Sequence, residues 1–175
     1  MSFPQKVKSA LWAIVDAMAC NTAQFVKNPG KDFTRERKLG FVQLIHFFLC
    51  MGSGCISHEL LKYFYFLPDE VPSASAFLQQ RAKLLPETFR HILRQFNLRF
   101  PTKGLMGKYS LITADGCEFN IARNPQDPST FHPASGRSKK GFNSLHTVSL
   151  YDLLSKRYLD VVVQPGKLKN EFAAL

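Results

Sequence analysis

Apolar residues spaced three and four positions apart dominate the first part of the chain, which is the pattern of helices with one buried face. This spacing predicts a helix over 5–20 and a second helix that Thr34 caps and that ends at the glycines of 52–54. Three further helices are predicted, over 59–66 with Ser57 as cap, from Ser73 or Ser75 to about Leu85, and over 87–97. Residues 1–104 are therefore expected to form a helical region.

The pattern changes after Tyr109, where short apolar runs with polar neighbours predict strands. Three strands are predicted, over 111–114 with a break at Asp115-Gly116, over 143–151 and over 158–163. Three strands alone make a poor sheet, which keeps an open edge. Residues 105–175 are therefore expected to be an incomplete domain, and the whole chain to be an α+β protein.

Positive charge is concentrated in the helical region. The chain has 175 residues and a net charge of +10. Residues 1–109 hold 15 Lys/Arg and 7 Asp/Glu, whereas residues 110–175 hold 8 and 6. This excess has two interpretations of similar weight: a polyanion partner, with nucleic acid ahead of a membrane, or an ordinary solvated surface. The most apolar run, 41–52, is too short to span a bilayer, so no membrane partner is expected.

The cysteines do not have the spacing of a zinc site. Four residues separate Cys50 from Cys55, and no second Cys or His pair lies near them in the sequence. We therefore interpret these two, together with Cys20 and Cys117, as reduced and mostly buried thiols of a cytoplasmic protein.

Among the acids, Asp115 is the candidate for metal chemistry. A carboxylate that a strand delivers to its own end is typical of a metal ligand, but acids also occur in Asp-Gly turns without any metal. Glu118 lies three residues further on and is expected on the opposite face, because side chains alternate along a strand. Asp152 and Asp160 are interpreted as turn or strand-end residues.

Three groups of basic residues are candidates for contact with DNA phosphates. Such contacts would position DNA without selecting its sequence, and each group could instead be a solvated surface. The groups are Arg35, Arg37 and Lys38; Arg90 and Arg94; and Arg137, Lys139 and Lys140.

Several short segments, taken in the order in which they occur along the chain, resemble the DDE transposases of bacterial insertion sequences. The group they resemble is the one named after insertion sequence four. In the helical region they are Phe33-Thr34-Arg35 with Lys38-Leu39, Met51-Gly52-Ser53-Gly54, Glu59-Leu60-Leu61, and Pro72 to Phe77 with Gln80 to Pro86. In the strand region they are Ala114-Asp115-Gly116, Leu150-Tyr151-Asp152-Leu153, and Gln164-Pro165-Gly166-Lys167 leading into Asn170-Glu171. Each segment is short, and their common order and spacing carry the resemblance.

This resemblance implies a ribonuclease-H-like catalytic domain, of which 105–175 would be the first half. The first acid of an Asp-Asp-Glu triad sits on the first strand of that fold, and Asp115 matches its position. The second Asp is expected on the fourth strand and the Glu on a later helix, and this chain ends before either. In the complete enzyme the triad would hold two Mg²⁺ ions about 4 Å apart, which clamp the attacking and leaving oxygens.

The function that the resemblance implies is the N-terminal part of a transposase that cuts and joins element ends by Mg²⁺-dependent phosphodiester transfer. The expected partner is double-stranded DNA of the terminal repeats, and a homodimer is one expectation for the complete enzyme. The expected location is the bacterial cytoplasm, at the nucleoid. The chain alone is expected to be inactive, because two of the three acids are missing. Two alternatives stay open, a non-catalytic DNA-binding protein and a truncated transposase remnant.

Overall fold

The computed structural model describes residues 1–67, 69–101, 104–136 and 139–174. The chain divides into two compact units, Met1–Arg99 and Phe100–Leu175. Within the described residues, the first unit holds five α-helices and the second a four-stranded antiparallel sheet followed by a short sixth helix. The predicted α+β class, with helices first and strands after them, is confirmed. In the described part of the chain, no helix is both long and apolar enough to cross a membrane.

The helices of the first unit share one hydrophobic core. They are α1 (Phe3–Ala19), α2 (Phe41–Cys50), α3 (Ile56–Tyr63), α4 (Ala74–Arg81) and α5 (Glu87–Arg99). Val15, Leu44 and Leu60 are completely buried in this core, and burying each such side chain stabilises the fold by about 1.5–3 kcal/mol. The Phe47 ring lies edge-on to the Phe77 ring, with centroids 5.2 Å apart, so aromatic packing joins α2 to α4.

The second helix begins later than its sequence pattern predicts. Thr34 does not cap it, because α2 starts at Phe41 after Gly40. The side-chain oxygen of Gln43 accepts a hydrogen bond from the Gly40 N–H at 3.2 Å and so satisfies a backbone amide at the helix start. Residues 34–40 hold four charged side chains and one apolar side chain, so a helix there would have almost no face to bury.

The third helix also begins at a different residue from the predicted one. Ser57 lies inside α3, which starts at Ile56. The Glu59 carboxylate turns back from the first turn and accepts hydrogen bonds from the N–H groups of Gly52 and Gly54, both at 2.9 Å. These bonds fix the glycine loop against the start of the helix, and no serine cap is formed.

A short antiparallel bridge joins the segment after α1 to the segment after α4. The Lys27 N–H donates to the Lys83 carbonyl at 2.9 Å, and the Leu85 N–H donates to the Phe25 carbonyl at 3.0 Å. Helix α4 itself begins after Ser73, one of its two predicted caps, and ends at Arg81. The bridge therefore brings the α4 end of the chain beside residues that are distant in sequence.

The sheet of the second unit has four strands where the sequence pattern predicts three. They are β1 (Ile112–Ile121), β2 (Phe131–His132), β3 (Phe142–Asp152) and β4 (Arg157–Pro165). Strand β3 pairs with β1 and with β4 along its length and with β2 near its start, always antiparallel. The additional strand, β2, is only two residues long, too short for any alternation to show.

Strand β1 continues through the Asp-Gly pair, so the predicted break there is wrong. Its pairing with β3 runs in register from Ile112 opposite Asp152 to Ile121 opposite Asn143. A glycine is suited to this position, because a Cβ on Gly116 would lie 2.8 Å from Cε1 of the His146 ring. Pairing with β3 therefore keeps β1 extended through Asp115-Gly116, although an Asp-Gly pair by itself favours a turn.

Little apolar surface is buried in the second unit. Val148 is the only hydrophobic residue of this unit that is buried among the described residues. Polar contacts contribute instead: the buried Asn143 amide donates to the Asn124 carbonyl at 2.9 Å and to the Thr130 hydroxyl at 2.8 Å. The four cysteines of the chain are free and exposed, so the prediction that they are mostly buried is wrong.

Candidate functional site

Asp115 lies in the middle of β1 with an exposed side chain. Its position pairs with Ser149 of β3, which in turn pairs with Val161 of β4. Because side chains alternate along a strand, Thr113 and Cys117 lie on the same face as Asp115. The immediate surroundings of Asp115 on this face are therefore hydroxyl, thiol and aliphatic side chains.

The other carboxylates of the sheet lie on the opposite face. Glu118 pairs with His146 and Asp160 pairs with Leu150, which are even-numbered positions of the same ladder. Asp152, at the end of β3, accepts the Leu154 N–H at 2.9 Å and so serves as the predicted turn residue. The register thus confirms that Asp115 and Glu118 point to opposite faces.

The described residues do not by themselves fit a two-metal centre at Asp115. Two divalent ions need several oxygen ligands that converge on one point. Among the residues that the structure describes, no three His, Cys, Asp or Glu side chains are grouped so as to hold a metal ion. Asp115 alone would bind Mg²⁺ weakly.

Charged side chains on the opposite face tie the end of the chain to the sheet. Lys169 donates to Glu118 at 2.6 Å, and this bond holds the pKa of the Glu118 carboxyl below its ordinary value and raises the pKa of Lys169. Buried His146 lies 3.4 Å, measured from Nε2, from the Glu171 carboxylate of α6 (Glu171–Ala174). This face is therefore a packing surface for the 169–174 segment.

Basic side chains line two adjoining cavities on the first unit. The first cavity, of about 480 Å³, opens between the 30–39 segment and α4, and its cations are Lys31, Arg35, Arg37 and Lys83. The second cavity, also of about 480 Å³, shares Arg37 and Lys83 with the first and adds Lys38 beside the start of α4. We call these five residues the basic cleft.

A strained aromatic residue forms part of the wall of the basic cleft. Phe33 has a φ of +58°, which a bulky side chain adopts only when its surroundings impose it. Its ring lies edge-on to the Phe41 ring of α2, with centroids 5.7 Å apart. The Lys83 ammonium lies over the same ring at 5.4 Å from its centroid and also donates to Gln80 at 3.0 Å. Phe33 thus holds Lys83 in place within the cavity.

Carboxylates are absent from the described lining of the basic cleft. The nearby Asp32 carboxylate is turned away, because it accepts the backbone N–H and the side-chain amide of Asn28 at 3.0 and 3.2 Å. Within the same described ranges, Lys31, Arg35 and Arg37 form no ion pair. The cleft therefore presents a concave surface of positive potential.

The structure brings together some of the basic residues that the sequence nominates for DNA contact. Arg35, Arg37 and Lys38 belong to the basic cleft. The other nominated residues lie elsewhere: Arg90 and Arg94 are exposed on α5, Lys139 and Lys140 belong to the second unit, and Arg137 lies outside the described residues.

Two cations of the cleft were not predicted from the sequence. Lys31 lies in the Asn-Pro-Gly break and has no charged neighbour of the same sign beside it. Lys83 reaches the cleft through the bridge between 25–27 and 83–85, and no local pattern indicates such a long-range pairing. Of the cleft residues, only Arg35, Arg37 and Lys38 are clustered along the sequence.

Comparison with known proteins adds no family to this description. No protein-family model, no curated protein and no solved structure matches the chain. The resemblance to DDE transposases therefore stays a prediction from short segments, and any functional conclusion depends on the surfaces described above.

Proposed function

We propose that this chain is the N-terminal part of a DDE-class DNA transposase whose helical unit binds double-stranded DNA. The observation that carries the proposal is the concave surface at Arg35, Arg37 and Lys38, which no described carboxylate lines. DNA phosphates are the natural counter-charges for such a surface, because binding releases condensed counterions. The transposase class comes from the short segments that resemble DDE transposases, including the one at Asp115. In that class the DNA would be the terminal repeats of the element, the complete enzyme would be a homodimer, and its location would be the bacterial nucleoid.

In this proposal the chain does not cut DNA by itself. Phosphodiester transfer in this enzyme class needs two Mg²⁺ ions between several carboxylates. Asp115 is exposed, and its cross-strand neighbours are Ser149 and Val161. Asp115 would serve as one ligand of a Mg²⁺ centre in the complete enzyme, and among the described residues no three His, Cys, Asp or Glu side chains are grouped so as to hold such a centre.

The first test measures DNA binding and cleavage by the purified 175-residue chain. We expect fluorescence anisotropy to show binding to a labelled DNA duplex that weakens steeply with added salt, because phosphate contacts dominate. We also expect no Mg²⁺-dependent nicking of the same duplex. The absence of any binding at low salt would contradict the DNA-binding part. Robust nicking that Asp115→Ala abolishes would contradict the inactivity of the chain.

A second candidate is a DNA-binding protein without catalytic role, either a regulator or a transposase remnant. The isolation of Asp115 from every other described carboxylate of the sheet favours it. The reading frame beyond Leu175 separates the two candidates. A downstream Asp and Glu that complete the triad would support the transposase, and a stop codon would support the second candidate.

A further inference from the structure

We propose that the basic cleft is a two-phosphate site, in which neighbouring backbone phosphates of one DNA strand occupy its two adjoining cavities. Lys31, Arg35 and Arg37 would hold the first phosphate together with Lys83, and Lys38 would hold the next. This inference rests on the proposed DNA binding and adds to it the residues Lys31, Lys83 and Phe33, which the clustering of charge along the sequence does not indicate.

The arrangement of the cavities indicates a ligand with successive phosphates rather than a single free anion. Arg37 and Lys83 line both cavities, so a ligand that fills one reaches the other without leaving the cationic surface. Lys38 lies on the second cavity only, and its ammonium donates to the backbone carbonyl of Asp69, which fixes it at that end. A nucleic acid strand, with a phosphate at every nucleotide, matches this extended shape.

Two features prepare the cations of the site for DNA: some have no ion pair to break, and one is already oriented. Among the described residues, Lys31, Arg35 and Arg37 have no ion-pair partner, so no internal bond must break when a phosphate binds. Lys83 is held between the Phe33 ring and the Gln80 side chain, so its orientation is set in advance. Preorganised cations lose less side-chain freedom on binding and therefore retain more of the interaction energy.

Phe33 is a positioning residue in this proposal, because it acts through Lys83. The left-handed backbone at Phe33 places the ring under the ammonium group and against Phe41. A strained conformation is retained where the surroundings over-determine it, and such sites are frequently functional. Replacement by an aliphatic side chain of similar volume would remove the cation–π contact and keep most of the packing.

The test uses the full chain and a fluorescein-labelled DNA duplex, with anisotropy measured over a range of NaCl concentrations. We expect Lys31→Gln and Lys83→Gln each to weaken binding on the order of tenfold and to reduce the salt slope by about 1, as the loss of one phosphate contact should. Lys6→Gln is the matched control, since it removes one exposed lysine of the first unit that lines neither cavity. Circular dichroism establishes that each variant is folded.

Phe33 variants and inorganic phosphate provide two further arms. We expect Phe33→Leu to weaken DNA binding and Phe33→Tyr to restore it, because tyrosine keeps the ring under Lys83. We expect inorganic phosphate to displace DNA no better than NaCl at equal ionic strength, because a single phosphate group fills only one cavity.

The outcomes separate this proposal from the proposed function. Wild-type affinity in Lys31→Gln and Lys83→Gln, with the chain still binding DNA, would overturn the two-phosphate site and leave DNA binding intact. Strong competition by inorganic phosphate alone would overturn it in favour of a free-anion site. The failure of the wild-type chain to bind duplex DNA at all would overturn both.

Discussion

The carboxylate of Glu59 fixes the loop between α2 and α3 through hydrogen bonds to its backbone. The oxygens of Glu59 accept the N–H groups of Gly52 and Gly54, and the side chain is almost fully buried. These two backbone hydrogen bonds hold the pKa of the Glu59 carboxyl below its ordinary value of 4.5, because they favour the ionised form. A Cβ at position 54 would lie 2.6 Å from the carboxylate, so a larger residue there would displace the Glu59 side chain from its two hydrogen bonds.

The depressed pKa of Glu59 makes the helical unit sensitive to acid. The folded state releases the Glu59 proton more easily than the unfolded state, so this contribution is complete above pH 4.5 and is lost as the pH falls through the lower, folded pKa. We expect Glu59→Gln to unfold at lower denaturant concentration at neutral pH and to lack this acid-dependent loss. Guanidinium titrations at several pH values, followed by the fluorescence of Trp12 in α1, measure the effect.

The matched control for this prediction is Glu36→Gln, which neutralises an exposed acid of the same unit. Surface substitutions of this kind usually change stability by less than about 0.5 kcal/mol. An acid profile of Glu59→Gln identical to that of the wild-type chain would show that the two glycine N–H bonds do not matter for stability.

The sequence pattern predicts those helices and strands whose bounds do not depend on contacts with other parts of the chain. Helix α4 and its Ser73 cap follow from local sequence, as do the existence of strands β3 and β4 and the opposite faces of Asp115 and Glu118. The start of α2 at Phe41 is marked by a hydrogen bond from the Gly40 N–H to Gln43 within the first turn. The continuity of β1 depends on its pairing with β3, a segment distant in sequence. The same limit applies to the cleft, where charge clustering indicates Arg35 but gives no hint of Lys83.

The turn after β4 requires a glycine, which provides a test at this scale. Gly166 begins the short 3₁₀ turn Gly166–Leu168, and a Cβ there would lie 2.7 Å from the backbone carbonyl oxygen of Ser144 in β3. Because backbone cannot yield as a flexible side chain does, we expect Gly166→Ala to destabilise the sheet by about 1–3 kcal/mol. Faster amide hydrogen exchange in β3 and β4 would report this loss.

Gly136→Ala is the control in the same unit, since a Cβ at Gly136 meets no atom within 4 Å. We expect its exchange rates to match those of the wild-type chain. Equal protection of the sheet in both alanine variants would contradict the close packing of the turn on β3.

The whole molecule has two units of very different internal cohesion. Val15, Leu44 and Leu60 belong to a continuous core in the first unit, whereas Val148 alone is buried among the described apolar residues of the second. On the sheet, Phe119 and Val163 keep more than half of their surface exposed, at 53% and 58%. Exposed apolar side chains on one face of a sheet favour association with another apolar surface.

This asymmetry predicts how the chain behaves when it is divided. We expect residues 1–99 alone to retain their helical circular dichroism and to unfold cooperatively, because their core lies entirely within that range. Residues 100–175 alone are expected to bind hydrophobic dyes and to aggregate. Cooperative unfolding of the isolated second fragment, with no association in sedimentation experiments, would contradict this expectation.

The face of the sheet that carries Asp115 also carries a natural chemical reporter. Cys117 lies two residues along β1, so its thiol shares that face, and the thiol is free and exposed. With serine at the other three cysteines, the rate at which an alkylating reagent modifies Cys117 measures access to the surface around Asp115. Any molecule or chain segment that covers this surface would slow the labelling, whatever its identity. Cys117 labelling would therefore report contacts at this face of the sheet, whichever molecule makes them.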